Sequence, residues 1–147
     1  LSNFLENFWI FLKILEPCDF SRGRFRGNPT ELENINKFKG FENLENGQKA
    51  IIRPENVSVI KLNENFRYSA SVETGIVEYT LFRGKEVEIG VRINGVLIKG
   101  NRKIEEESVS VNEKVNIYIY RAYAFGEDEK VELVENANIK NQNDVII

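Results

Sequence analysis

The chain has 147 residues, of which 41% are hydrophobic and 29% charged, with a formal net charge of −3. This balance is typical of one compact globular domain, and it argues against the basic face expected of a nucleic-acid-binding protein. The chain has no histidine, which excludes nucleophiles that depend on a histidine base. Its single cysteine, Cys18, excludes an internal disulfide and a cysteine-rich zinc site, and it favours a reducing cytoplasm.

An apolar segment from Phe4 to Leu15 opens the chain. It is too short and too interrupted by charge to span a bilayer, and it lacks the features of a signal peptide. Its spacing fits an amphipathic helix and its composition fits a buried strand, so we predict a helical turn to Asn7 and then a strand. Trp9 and Phe11 are candidates for the core or for an interface. Because the chain begins inside an apolar run and lacks methionine, we expect it to belong to a longer polypeptide.

Residues 16–46 are rich in Gly, Pro, Asn and Lys. Three arginines alternate around Phe25, a pattern that can contact phosphate and stack a base, although a short strand with a solvated basic face is the commoner structure. We interpret residues 1–46 as an N-terminal connecting segment with a short helix and strands, part of the same β unit as the residues that follow. Asn46-Gly47 predicts the turn at its end.

The segment from Ile51 to Asn56 predicts two strands separated by a sharp corner. Pro54 fixes its own φ, lacks the N–H that a ladder needs, and biases Arg53 toward extended geometry. Arg53 and Glu55 should therefore flank a rigid corner at the end of a sheet.

From Lys49 onward nearly every segment predicts a strand. Alternation in Glu86–Ile93 places Glu86, Glu88 and Arg92 on the solvent face, Asn94-Gly95 predicts a hairpin, and Gly75 predicts a bulge or barrel corner. The predicted class is mostly β, an antiparallel OB-like barrel or sandwich with little helix, with a barrel over residues 47–135 and a flexible tail over 136–147. The predicted strands are Lys49–Arg53, Val57–Leu62, Phe66–Tyr79, Glu86–Ile93, Val96–Lys99, Val115–Arg121 and Val131–Glu135.

No catalytic constellation emerges from the sequence. There is no phosphate loop and no dinucleotide fingerprint, and the acidic runs 105–107 and 127–129 fit solvated loops better than a carboxylate pair or a calcium site. We therefore predict no catalytic residue, no metal and no cofactor. Tyrosines and arginines on the predicted strands could form a stacking platform, although surface packing of tyrosine is commoner; they are Tyr68, Tyr79, Tyr118, Tyr120, Tyr123, Arg83, Arg92 and Arg121.

Several segments together resemble the TOBE domain, the transport-associated OB-fold at the C-terminus of many ABC importer ATPases. The resemblance lies in Gly47 before Ile51-Ile52-Arg53-Pro54-Glu55, in Val77-Glu78-Tyr79 followed by Gly84, in the hairpin over 87–99, and in Val115-Asn116-Ile117 leading to Phe125. Phe4-Leu5-Glu6-Asn7-Phe8 is similar to the family's exit from the ATPase core, with Glu6 where the family has Gly.

This resemblance implies a non-catalytic regulatory and dimerisation domain. Its expected partners are the ATPase domain of the same polypeptide, a second copy in a homodimer and, indirectly, a membrane permease, with no nucleic acid. Its expected location is cytoplasmic, peripheral to the inner face of the membrane, and Arg53 and Glu55 would fix the corner and contact the partner subunit. Two alternatives are an OB-fold module for single-stranded nucleic acid and a small oxyanion- or sugar-sensing domain.

Overall fold

The computed structural model describes residues 29–127 and 130–139 of the chain. The apolar segment with Trp9 and Phe11, the basic segment around Phe25 and Cys18 lie outside these described residues. The helical turn and strand predicted for the first 15 residues, and the interface role predicted for Trp9 and Phe11, therefore stay predictions.

Nine strands form most of the regular structure in the described ranges. Single turns of 3₁₀ helix at Ile35–Lys37, Pro54–Asn56 and Ser69–Ser71 interrupt the connections between them. The strands are β1 (Thr30–Leu32), β2 (Ala50–Ile52), β3 (Val57–Lys61), β4 (Glu73–Phe82), β5 (Glu86–Ile93), β6 (Val96–Lys103), β7 (Lys114–Ile119), β8 (Arg121–Phe125) and β9 (Val131–Glu135).

Five strands close into a barrel in the order β3-β6-β5-β4-β7. Strands β4, β5 and β6 form an antiparallel meander, β7 pairs antiparallel with β3 and β4, and β3 lies parallel to β6 where Ser58 faces Asn101. The β5–β6 turn has positive φ at Asn94 (49°) and Gly95 (82°), as the predicted two-residue hairpin requires. The mostly β, OB-like barrel class is thus confirmed.

The other four strands form an antiparallel sheet in the order β1-β2-β8-β9. One continuous hydrophobic core joins this sheet to the barrel, and it contains Leu32, Ile35 and Ile52 on the sheet side and Ile89 and Val115 on the barrel side. Because residues from Leu32 onward contribute to that core, the described part of the predicted connecting segment packs with the strands that follow it. The exact limits of the predicted units stay predictions.

Three strand predictions need correction. Strand β4 begins at Glu73 rather than Phe66, because residues 62–72 cross the outside of the barrel and include a 3₁₀ turn. Strand β6 extends to Lys103. The single strand predicted to end at Arg121 is two strands, because the chain leaves the barrel after Ile119 and enters the four-stranded sheet at Arg121.

Gly75 lies at the predicted barrel corner, where β4 changes partner from β7 to β5. A Cβ at this position would lie 2.5 Å from Ile93 Cγ1 and 2.7 Å from the Arg92 carbonyl oxygen, so the close approach of two strands requires glycine. The bulge itself occurs nearby, at Glu78, between Val77 and Tyr79.

The packed part of the chain extends past residue 135, where the predicted tail begins. Asn136 is fully buried, and its Nδ2 donates to the Ile119 carbonyl at 2.9 Å and to the Lys39 carbonyl at 3.2 Å. Its backbone N–H donates to the Tyr120 carbonyl at 2.8 Å. These bonds fasten residue 136 to the point where the chain passes from barrel to sheet.

Candidate functional site

The predicted corner at Arg53-Pro54-Glu55 joins the two sheets. Arg53 is extended, with φ −87° and ψ 143°, and Pro54 begins the single 3₁₀ turn that leads from β2 into β3. The Asn56 carbonyl accepts a hydrogen bond from the Tyr120 N–H at 2.8 Å. The two places where the chain crosses between sheet and barrel, at 53–56 and at 120, are therefore bonded to each other.

Arg53 is held in place by packing as well as by charge. It is 7% exposed, and its guanidinium carbon lies 5.5 Å from the centre of the Tyr123 ring, a cation–π distance. A guanidinium nitrogen lies 3.7 Å from Glu55 Oε1, whose side chain is 38% exposed. A half-exposed pair of this kind contributes about 0–1 kcal/mol, so its main effect is on geometry.

Four aromatic side chains pack together on the outer face of β3 and β7. The rings of Tyr68 and Tyr118 stack at 4.7 Å and 14°, while Phe66 and Tyr120 pack against Tyr118 with tilted or edge-on rings. Ser58 Oγ donates to the Tyr120 hydroxyl at 3.1 Å. We call these four residues the aromatic cluster; it joins three of the five tyrosines that the sequence suggested as a stacking platform.

The aromatic cluster is only partly accessible. Tyr118 is fully buried, and its hydroxyl has no hydrogen-bond partner within the described ranges. This burial raises the pKa of the Tyr118 hydroxyl well above its ordinary value, so the phenol stays neutral. A bound base would therefore have to use Phe66, Tyr68 and Tyr120, which are half-buried.

The other two tyrosines lie elsewhere. Tyr79 packs over Gly90 and donates from its hydroxyl to Glu88 Oε2 at 2.6 Å, while Tyr123 lies beside Arg53. Burial and the neighbouring Glu88 carboxylate raise the pKa of the Tyr79 hydroxyl. Of the predicted arginines, Arg83 lies 3.4 Å from Glu88, and Arg92 pairs with Glu78 across β4 and β5 at 2.7 Å, so neither joins the aromatic cluster.

The prediction that Glu88 faces solvent is wrong. Glu88 does lie on the outer face of β5, but it is 3% exposed because Tyr79 and Arg83 cover it. Alternation correctly assigned the face, but it could not show that side chains from β4 and from the following turn fold over that face. The one sequence signal that Tyr79 covers Glu88 is Gly90, two residues after Glu88 on β5. Because glycine has no side chain, it leaves room for the Tyr79 ring.

Sequence reasoning also missed an ion-pair network at one end of the barrel. Arg102, on β6, is 3% exposed and binds Glu64 through two parallel bonds of 2.9 and 2.8 Å. Its Nη1 also donates to the Val59 carbonyl, and its Nε to the Glu107 carbonyl, both at 2.8 Å. The hydrogen bonds from Arg102 lower the pKa of the Glu64 carboxyl.

Lys61 extends this network to the acidic loop. Its Nζ lies 3.2 Å from Glu107 Oε1 and 3.5 Å from Glu113 Oε2, and it donates to the Ser108 carbonyl at 3.0 Å. The Glu107 hydrogen bond raises the pKa of Lys61. Lys61 and Arg102 therefore each lie within ion-pair distance of carboxylates at this end of the barrel.

An apolar cavity of about 280 Å³ opens beside that network, between the β4–β5 hairpin and the loop after β6. We call its apolar lining the mouth surface: Phe82, Val87, Ile89, Ile104 and Val109. Phe82 is 69% exposed and Ile104 is 51% exposed. Charged side chains line the same cavity beside these apolar ones: Arg102, Lys103, Glu106 and Glu107.

The described residues contain no group of three or more His, Cys, Asp or Glu side chains placed to hold a metal ion. No helix among them is long and apolar enough to cross a membrane. No protein-family model matches the chain, and no curated protein matches it significantly.

Proposed function

We propose that this chain is a non-catalytic regulatory and dimerisation module of the TOBE type, carried by the ATP-binding subunit of an importer. The observation that carries the proposal is the corner at Arg53-Pro54-Glu55, which leads from the four-stranded sheet into the first strand of a closed OB-like barrel. A segment that resembles the TOBE signature thus leads into an OB-like barrel, the fold for which the TOBE family is named.

The other resembling segments also fall at structural boundaries. Gly47 has a φ of 79° in the turn before β2, and Gly84 has a φ of 90° in the β4–β5 turn. Val77-Glu78-Tyr79 forms the β4 bulge, and Phe125 ends β8. This coincidence supports the resemblance, because the quoted residues mark places where the backbone turns or changes partner.

The charged side chains that the fold buries support a framework role. Arg53, Glu88 and Arg102 each lie within ion-pair distance of another charged side chain of the same chain. A regulatory module works through its shape and surfaces, which such pairs help to fix. In the proposed assembly its partners are the ATPase domain of the same polypeptide, a second copy, and indirectly a permease, at the cytoplasmic face of the membrane.

The test is the in-frame coding sequence upstream of Leu1. We expect a phosphate loop followed by a hydrolysis motif, and an unrelated upstream domain or an immediate stop codon would refute the importer assignment. In the full polypeptide, removing residues 29–147 should leave nucleotide binding intact and weaken the dimer, as measured by light scattering.

A second candidate function, binding of single-stranded nucleic acid, is favoured by the aromatic cluster on the outer face of an OB-like barrel. The net charge of −3 and the complete burial of Tyr118 argue against nucleic-acid binding. We therefore rank this function below the first. An oligonucleotide titration distinguishes the two candidates.

A further inference from the structure

After β9 the chain packs against the junction of sheet and barrel. We call residues 136–139 the C-terminal strap. Asn136 anchors the strap, because its Nδ2 donates to two backbone carbonyls and its Oδ1 accepts from the Asn138 N–H at 3.0 Å. The Ala137 N–H donates to the Gly40 carbonyl at 3.0 Å. One end of the strap is therefore fixed by hydrogen bonds to other segments of the chain.

The strap also binds the connection that crosses the outside of the barrel between β3 and β4. We call residues 65–71 of that connection the lid. Asn138 Nδ2 donates to the hydroxyl of Ser71, which is buried. The Ser71 N–H donates in turn to the Tyr68 carbonyl at 2.9 Å, within the 3₁₀ turn. Among the described residues, the bond from Asn138 is the one hydrogen bond that joins the lid to a distant part of the chain.

The lid covers the most buried member of the aromatic cluster. Tyr68 stacks on the Tyr118 ring at 4.7 Å, and Phe66 packs against the same ring at 5.4 Å. Tyr118 is fully buried although it lies on the outer face of β7, and its hydroxyl has no hydrogen-bond partner within the described ranges. A buried hydroxyl without a partner is unfavourable, and it regains water when its cover lifts. The closed position therefore depends on attachments that outweigh this cost.

We propose that the C-terminal strap is a conformational latch, which holds the lid over Tyr118 and, when it is released, opens the aromatic cluster to solvent. The bond from Asn138 to Ser71 connects the two parts, so the state of the strap determines how firmly the lid is held. Segments that few contacts fasten open locally while the core stays folded. Opening adds the Tyr118 ring and hydroxyl to the accessible surface of the barrel. The latch does not depend on the importer assignment.

The first test is nitration of the tyrosines by tetranitromethane, mapped by mass spectrometry of peptides, in Asn138→Ala and in Ser71→Ala. Each substitution should raise the nitration rate of Tyr118 roughly two- to tenfold, which is the change in an equilibrium that one net hydrogen bond supplies. Tyr123, in the other sheet, is the internal reference and should keep its rate. Asn63→Ala is the matched control, because Asn63 is an exposed asparagine before the lid that makes no hydrogen bond to the described residues.

The second test asks whether the strap and the lid open together. The double variant Asn138→Ala/Ser71→Ala should nitrate at Tyr118 no faster than either single variant, because both substitutions remove the same bond. In native-state hydrogen exchange of the wild type, the amides of Ala137 and Ser71 should lose protection together. Both should do so before the amides of β7, which belong to the barrel.

The possible results decide the proposal. Tyr118 nitration that is unchanged in both single variants would refute the latch. A parallel rise at Tyr118 and Tyr123 would also refute it, because that pattern reports loosening of the whole fold, which thermal unfolding of the variants measures separately. A Ser71 amide as protected as those of β7 would show that the lid does not open by itself. None of these results bears on the importer assignment, which the sequence upstream of Leu1 decides.

Discussion

Arg102 offers the sharpest test of how this barrel is held together. It is the one described arginine that makes two parallel hydrogen bonds to a carboxylate while its side chain is only 2% exposed. Replacing it with methionine keeps much of the apolar stem and removes the guanidinium, which also bonds the Val59 and Glu107 carbonyls. Glu64 and the buried Val59 carbonyl would then lose this donor.

The expected loss in the free energy of unfolding is at least about 3 kcal/mol, which is the cost of breaking the ion pair alone. Breaking a buried ion pair costs about 3–5 kcal/mol, and an unsatisfied buried carbonyl costs about 1–3 kcal/mol. The lower end of the first range applies because the Glu64 side chain is 30% exposed, so water can partly replace the lost guanidinium. With a urea dependence of about 1–3 kcal/mol per molar, the midpoint should fall by roughly 1–3 M.

Urea unfolding followed by circular dichroism measures this loss, with Arg92→Met as the matched control. Arg92 pairs with Glu78 at the same kind of distance, 2.7 Å, but the two side chains are 46% and 48% exposed. An exposed pair contributes about 0–1 kcal/mol, so the control midpoint should change little. If Arg102→Met lowers the midpoint no more than Arg92→Met does, the argument that burial makes the Arg102 network important is refuted.

Three further predictions address acid, packing and nucleic acid. Arg102 lowers the pKa of Glu64 in the folded state, so their interaction stabilises the fold above the unfolded glutamate pKa of about 4.3. This stabilisation is lost as the pH falls through the folded pKa. When unfolding is measured at decreasing pH, Arg102→Met should therefore lose less free energy of unfolding than the wild type. A Cβ on Gly90 would lie 2.2 Å from Tyr79 Cε1, so Gly90→Ala should lower the free energy of unfolding by about 1–3 kcal/mol. Gly126→Ala is the control: a Cβ there would lie 3.6 Å from its nearest neighbouring atom, so the same urea assay should show almost no change. Fluorescence anisotropy of a labelled oligonucleotide should show no binding even at low salt, and a salt-sensitive signal that Tyr68→Ala removes would favour the nucleic-acid alternative.

The sequence was sufficient for the parts of the fold that local chemistry determines. Pro54 fixes a corner wherever it stands in a strand-rich segment, and Asn94-Gly95 favours positive φ whatever surrounds it, so both predictions are confirmed. The period of two in β5 and β7 likewise identified their core-facing residues. These signals depend on single residues or on immediate neighbours, which a sequence shows directly.

The candidate site was less predictable, because it depends on which strands meet. Arg102 lies four residues beyond the apolar segment that ends at Ile98, where the sequence indicates the end of a strand. Only the barrel brings it to Glu64, 38 residues away. The aromatic cluster likewise requires the connection over residues 62–72 to fold across β3 and β7. The sequence suggested that tyrosines could form a stacking platform. The strand order brings together only three of the five tyrosines, Tyr68, Tyr118 and Tyr120.

One local irregularity, the bulge at Glu78, explains two features that alternation missed. Val77 faces the core opposite Val91, and unbroken alternation would then send Tyr79 inward and Phe82 outward. The extra residue reverses both: Tyr79 pairs with Gly90 on the outer face, where its ring reaches Glu88, and Phe82 pairs with Val87 on the side of the mouth surface. A single inserted residue in β4 therefore both buries a carboxylate outside the barrel and directs an exposed aromatic to its opening. Without that bulge, Phe82 would lie on the face that Glu88 occupies.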